Sequence, residues 1–332
     1  MSPTSAPAAR ALEPTTVLRL GTRRSPLAMA QATLVADALR AGGSTVELVG
    51  VTTEGDRSTG PLTEAGGTGV FVTQLRARLL DESVDIVVHS LKDLPTQPAA
   101  DLGVAAVPPR ADARDALVAR DGLTLSTLPP RASVGTGSPR RAAQLLGVRP
   151  DLDVQPLRGN VDTRIGRVGR VGADGLDAIV VAAAGLARLG RLNEATQLLD
   201  PDVMLPAPGQ GALAIECRAA DVEPGGRLRE LLAPLDDLSS HAAVVAERAL
   251  LAGLEAGCTA PVGAFAEVDA ALNLHLIAAV VSVDGVTAIR GAARGAATDA
   301  EGIGRRLAVD LLARGAGSLM GITNAHDRTG RR

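Results

Sequence analysis

Apolar residues in this chain come in short runs broken by polar turns, and the spacing within the runs switches between period 2 and period 3.6. Val17–Gly21 reads as a short strand, Thr22–Pro26 as a polar turn and Leu27–Leu39 as an amphipathic helix. The unit recurs with Val46–Thr52 as a strand, Val70–Leu80 as a helix and Val84–His89 as a buried strand running into a polar loop. Between that second strand and its helix lies the Gly-rich stretch Gly60–Gly69, whose composition suits a mobile loop over a cleft. From about Asp115 the alternation restarts, with strands at Ala132–Gly135, Val154–Pro156 and Ala178–Val181 and a helix over Pro139–Leu146. Pro206 and Pro208 punctuate a return segment, and Gly211–Cys217 suits a strand added back to the first lobe. A helix at His241–Leu254, alternating strands and a last helix at Asp299–Arg314 then form a smaller α+β domain.

The pattern predicts an α/β protein with two lobes built on mixed sheets and a smaller C-terminal α+β domain. Its expected divisions are a disordered tail over 1–16, domain 1 over 17–112 and 211–235, domain 2 over 113–210, domain 3 over 236–314, and a C-terminal tail over 315–332.

Composition sharpens this picture. Aromatics make up 1% of the chain, with no Trp or Tyr, so the cores must be packed with Ala, Val and Leu, and a ligand site has little to stack on. The net charge of −3 argues against bulk electrostatic binding of nucleic acid, so positive charge must act locally. Of 34 basic residues only Lys92 is a lysine. No apolar run is long enough to span a bilayer, and residues 1–16 lack the apolar core of a secretory signal, so a soluble, cytoplasmic protein is expected.

Charged clusters recur at the carboxyl ends of the predicted strands, where open α/β sheets bind ligands. They are Thr22-Arg23-Arg24-Ser25, His89-Ser90-Leu91-Lys92-Asp93, Gly135-Thr136-Gly137-Ser138-Pro139-Arg140-Arg141 and Leu157-Arg158-Gly159-Asn160-Val161-Asp162-Thr163-Arg164. Guanidinium forks match carboxylates and phosphates, so arginines gathered with hydroxyls and helix N-terminal amides describe a cradle for a polyanion. Gly135–Ser138 lacks the spacing of a P-loop, which disfavours a nucleotide. His89 has no second histidine at ligand spacing, so no metal is expected and the residue reads as a satisfied strand-end histidine. Asp93, beside Lys92 among cations, should stay ionised and can balance a cationic intermediate; its bland alternative is an ordinary salt bridge.

The two cysteines differ in setting. Cys217 ends the apolar run Ala212-Leu213-Ala214-Ile215 and reads as a buried structural thiol, while Cys258 sits in a Gly- and Pro-bounded loop after a helix, which favours exposure and reactivity. A disulfide between them is not expected in a reducing compartment.

Taken in order, Leu-Arg-Leu-Gly-Thr-Arg-Arg-Ser-Pro-Leu-Ala, His-Ser-Leu-Lys-Asp-Leu-Pro-Thr, Gly-Ser-Pro-Arg-Arg, Leu-Arg-Gly-Asn-Val-Asp-Thr-Arg, Leu-Pro-Ala-Pro-Gly-Gln-Gly-Ala and Leu-Glu-Ala-Gly-Cys resemble the hydroxymethylbilane synthase (porphobilinogen deaminase) family across roughly residues 17–314. The resemblance implies two lobes like those of periplasmic binding proteins with an active site between them. It also implies a transferase of tetrapyrrole and heme biosynthesis that condenses four porphobilinogen molecules head to tail with loss of ammonia, then hydrolyses off the linear product. A monomer is implied. So is a dipyrromethane cofactor joined by a thioether to Cys258, which makes that thiol a tether, with Asp93 as the catalytic carboxylate. Arg23, Ser25, Lys92, Ser138, Arg140, Arg141, Arg158, Arg164 and Arg188 fall on positions that bind acetate and propionate side chains. Gln31, Ser90, Thr136, Phe71 and Gln210 match positions near the site.

One departure from the family pattern stands in the Gly-rich loop, where Glu64 and Thr68 replace lysines of many members and weaken electrostatic capture by that loop. Two rival readings compete with this one. A non-catalytic anion-binding protein would suit the two-lobe pattern but leaves Lys92-Asp93 and a loop cysteine without a shared purpose. A cysteine-dependent acyltransferase needs a general base beside Cys258.

Overall fold

The computed structural model describes residues 17–52, 69–172, 174–256 and 260–320. The chain opens with β1 (Leu18–Arg23), whose inward Leu18 and Leu20 are buried beneath α1 (Pro26–Ala41). Helix α1 starts where it does because Pro26 fits the first turn and Ser25 caps it, its Oγ accepting from the Ala28 amide at 3.3 Å. It buries the stripe Ala32, Val35, Ala36 and Leu39. Then follow β2 (Val46–Val51), α2 (Gly69–Leu80) and β3 (Ile86–Ser90), a one-turn 3-10 helix at Leu91–Asp93, and β4 (Leu102–Ala106).

The second lobe contains β5 (Asp115–Ala119), β6 (Ser133–Thr136), α3 (Pro139–Val148), β7 (Asp153–Pro156), α4 (Val161–Ile165), β8 (Ala178–Ala182), α5 (Ala183–Arg188) and β9 (Gln197–Leu199). Strand β10 (Leu213–Arg218) then returns to the first sheet. The two sheets share one plan. The first has the order β2-β1-β3-β10-β4 and the second β7-β6-β8-β5-β9, and in each the fourth strand runs antiparallel to its neighbours while the first three are parallel. The loops after β1, β3, β6 and β7 are those that carry the charged clusters.

The C-terminal domain consists of α6 (Leu238–Gly253), an antiparallel sheet of β11 (Val262–Val268), β12 (Asn273–Val281) and β13 (Ala288–Ala296), then α7 (Ala300–Ala313) and the short α8 (Ala316–Leu319). One face of this sheet is covered by α6 and α7. On the other, Ala279 and Val281, with Phe265 and Ile277, pack against Ala143 of α3 and Leu205. By compactness the chain forms two units, Met1–Arg110 with Ala212–His241 and Ala111–Gly211 with Ala242–Arg332, so the C-terminal domain belongs to the same unit as the second lobe.

Several expectations are refined. Helix α6 begins three residues before the expected His241, and β1 extends through Thr22 and Arg23, which the polar pattern assigns to a turn. Residues from 315 onward read as a frayed end, yet Gly315 takes a left-handed conformation (φ +95°) that ends α7 and turns the chain back. Ala316 is buried, with Leu319 and Met320 against the core. The Gly60–Gly69 loop, with Glu64 and Thr68, lies outside the described residues apart from Gly69, which opens α2; so do the side chain of Phe71 and the whole of Cys258.

Candidate functional site

In the first unit, the carboxyl ends of β1 and β3 carry the candidate residues. Arg23 ends β1, half-buried, and Thr22 just before it is fully buried, its hydroxyl donating to the Ala28 carbonyl at 3.1 Å and stapling the strand to α1. Gln31 on α1 is buried, and its Nε2 donates to Ser90 Oγ at 2.9 Å. That bond fixes the end of β3, where the next turn presents Lys92 and Asp93, both half-buried. Gln31 and Ser90 therefore set the frame from which Lys92 and Asp93 project.

His89, as expected, is satisfied within the fold: its Nε2 lies 3.2 Å from Glu216 Oε2. Arg76 of α2 donates to the same carboxylate through Nε at 3.0 Å and Nη2 at 2.8 Å. Burial pushes the Glu216 carboxyl up, but hydrogen bonds from His89 and Arg76 outweigh it and hold it below the ordinary range. This triad clamps α2 to the sheet. Cys217 is fully buried, and burial pushes its thiol up to about 12, so it is chemically inert.

The second unit gathers most of the arginines. Ser138 caps α3, its Oγ accepting from the Arg141 amide, and Thr136 Oγ1 accepts from the Ser138 amide at 3.2 Å. Gly137 is required between them, since a Cβ there would stand 2.6 Å from the Leu157 carbonyl oxygen. This close approach sets the loop after β6 against the loop after β7, which carries Arg158. Arg158 is exposed and Arg164, on α4, is half-buried with its Nε donating to the Gly159 carbonyl at 2.8 Å. Arg188 ends α5, and its Nη2 donates to the Gly211 carbonyl at 2.6 Å.

Arg140 and Arg141 are both buried, and both converge on Asp115. Arg140 Nη2 lies 2.8 Å from Asp115 Oδ2 and its Nη1 bonds the Leu205 carbonyl, while Arg141 Nε donates to Asp115 Oδ1 at 2.9 Å. Gln210 Nε2 donates to the same oxygen at 2.9 Å and to the Ala113 carbonyl at 2.8 Å. Full burial pushes the Asp115 carboxyl up, but the charges of Arg140 and Arg141 and the Gln210 hydrogen bond prevail and hold it at about 2. Asp115 escapes sequence reading because an Asp opening an apolar run looks like a loop end. The available signal is electrostatic: adjacent arginines entering a core demand a buried anion.

Arg164 and Arg188 carry the electrostatic character of this lobe. Their bonds go to neutral carbonyls, so those contacts leave the charge in place. Burial first, and then the like charges of Arg141 and Arg158, lower the Arg164 pKa, and burial lowers that of Arg188 to about 10. Cations crowded this way favour an anionic ligand, and carboxylates suit the guanidinium fork.

Residues 18–224 match the family model described as "Porphobilinogen deaminase, dipyromethane cofactor binding domain", and residues 241–313 match "Porphobilinogen deaminase, C-terminal domain". The chain belongs to the porphobilinogen deaminase family. Among curated relatives it is 58% identical over 305 residues to the porphobilinogen deaminase of Acidothermus cellulolyticus, spanning 92% of this chain and 91% of that one. It is 52% identical over 314 residues to that of Thermobifida fusca, covering 92% and 96%. To that of Mycobacterium tuberculosis it is 53% identical over 312 residues, covering 92% and 98%. Among solved structures it is similar to an ABC transporter periplasmic substrate-binding protein from Coxiella burnetii, at 15% identity and a TM-score of 0.41, over 66% of this chain and 91% of that one. Membership of the porphobilinogen deaminase family makes the chain a transferase that uses a dipyrromethane cofactor, and favours the enzyme over a non-catalytic anion binder.

Proposed function

We propose that this chain is a hydroxymethylbilane synthase whose lobes hold a growing, carboxylate-rich pyrrole chain tethered to Cys258. Four porphobilinogen molecules are joined head to tail. In each step the aminomethyl C–N bond of the incoming unit breaks and ammonia leaves with a proton, a C–C bond forms from the freed methylene to the free α-carbon of the preceding pyrrole, and the C–H bond of that carbon breaks, its proton replacing the one that left with ammonia. Hydrolysis then releases the linear tetrapyrrole.

The observation that carries this reading is the crowding of Arg141, Arg158 and Arg164 in a family member, a cationic arrangement that acetate and propionate groups would neutralise. The donor set thus fits the dipyrromethane. When bound, that cofactor supplies the terminal pyrrole carbon to which the first substrate is joined. Arg141, Arg158, Arg164 and Arg188, with Arg140 and Ser138 in the same lobe, hold and orient carboxylates. Arg23, Ser25 and Lys92 do the same in the first unit. Asp93 balances positive charge on pyrrole nitrogens and moves the proton that leaves with ammonia. Its support is positional: β3 and the Gln31–Ser90 bond fix the strand end from which the turn carrying Lys92 and Asp93 follows. Gln210, Thr136 and Ser90 act as supports, and Phe71 flanks the site.

The same reading keeps domain 1 over 17–112 and 211–235, domain 2 over 113–210 and domain 3 over 236–314. It takes the enzyme to be a cytoplasmic monomer that binds porphobilinogen and no nucleic acid; among the described residues no helix is long and apolar enough to cross a membrane. Intact mass of the purified protein tests the function. It should exceed the sequence mass by two pyrrole units, and C258A should lose both the addition and the activity. An unmodified, fully active protein contradicts it.

A further inference from the structure

Asp115 opens β5 with none of its surface exposed, at the meeting point of three donor side chains. Arg140 takes one carboxylate oxygen and Arg141 and Gln210 share the other, and Arg141 Nη2 also reaches Gln210 Oε1 at 3.4 Å. Arg141 Nη1 is fixed besides on the Val180 carbonyl at 3.1 Å. Two buried cations against one anion leave the cluster with one net positive charge, and Arg141 is fixed by its bonds to Asp115, Gln210 and the Val180 carbonyl. Gln210 is itself held from the C-terminal domain. Glu247 of α6 is fully buried; its Oε2 accepts from the Gly209 amide at 2.6 Å and its Oε1 from the Ala266 amide of β11 at 2.8 Å. A continuous polar chain therefore runs from α6 and β11 through Gly209 and Gln210 to Asp115 and the two arginines.

We propose that Asp115 and Gln210 are positioning residues for the carboxylate site of the second lobe, holding Arg141 in register with Arg158 across the Gly137–Leu157 contact, with Glu247 fixing the strap that carries Gln210. This deepens the proposed function and rests on it. A neutral group at 115 can accept from one guanidinium but cannot hold both charges, so the arginines repel and lose their common aim.

The test compares wild type, D115N, D115E and Q210M as purified full-length proteins by intact mass, thermal midpoint and steady-state kinetics with porphobilinogen. D115N should carry the two-pyrrole addition on a smaller fraction of molecules, and its loaded fraction should show KM raised about tenfold with a smaller change in kcat. D115E, which restores the charge, should recover part of both. D115N with wild-type loading and KM overturns the proposal whatever its thermal midpoint, and so does an equal loss in D115E, which would assign the effect to packing. Should D115N not fold, Q210M decides, since it keeps volume and both ion pairs: about a threefold rise in KM is expected, and wild-type KM overturns the proposal. Wild-type protein without added pyrrole mass contradicts the proposed function itself, an outcome distinct from normal loading in every variant.

Discussion

The arginines divide by what their hydrogen bonds leave unneutralised. Arg140 and Arg141 sit on a buried carboxylate, whereas Arg164 and Arg188 bond carbonyls and keep their charge available. Truncating Arg158 or Arg164 to Ala should therefore raise KM for porphobilinogen about tenfold or more, by loss of a charge-assisted bond; an unchanged KM in both variants breaks the cradle reading. Asp93→Asn should keep fold and cofactor loading but lose roughly a hundredfold or more in turnover, and near-normal turnover refutes its assignment. Asp115 also sets an acid limit. Its folded pKa of about 2 lies below the ordinary 3.8, so its contribution is fully present above about pH 4 and is lost as pH falls toward 2. The difference is worth about 2 kcal/mol. Urea midpoints of wild type and D115N should thus converge as the pH is lowered through that window; a constant gap contradicts the assignment. At this scale the sequence reveals the arginines, Ser25 and Ser138, because a Ser-Pro before an apolar-periodic run is a helix start with a mechanism. It does not reveal which cations are internally paired, since the pairing partner is remote: Asp115 lies 25 residues from Arg140.

Elements with a clear period are legible to within a few residues, as with α1, α2, α7 and the strands β1, β2 and β3. Those not read from the sequence are short or lack a period. β4 contains only Leu102–Ala106 with a Gly inside it, β9 is three residues long, and α5 continues the apolar run of β8 without a break. Their identity comes from pairing partners distant in sequence. The clamp on α2 is a further case, because Arg76 and Glu216 are 140 residues apart. Removing a buried partner leaves charges uncompensated, so E216A should destabilise the protein by about 3 kcal/mol, read as a lower urea midpoint. An unchanged midpoint would show that the triad does not clamp α2.

For the molecule as a whole, two five-stranded sheets that share one pattern of parallel and antiparallel pairing each bring charged loops to their strand ends, in a chain whose net charge is −3. Positive potential is thus a local property of the candidate site. That architecture was legible because each strand, loop and helix unit announces itself locally. The grouping of the C-terminal domain with the second lobe was not, since it depends on the apolar contact of Ala279 and Val281 with Ala143 and Leu205 and on the bonds of Glu247. If the cationic cradle serves a pyrrole chain held covalently by Cys258, intact mass of the purified wild-type protein beside C258A must report it. Wild type should carry an addition of two pyrrole units and C258A none, with activity lost alongside. An active wild-type protein at its unmodified sequence mass would contradict it.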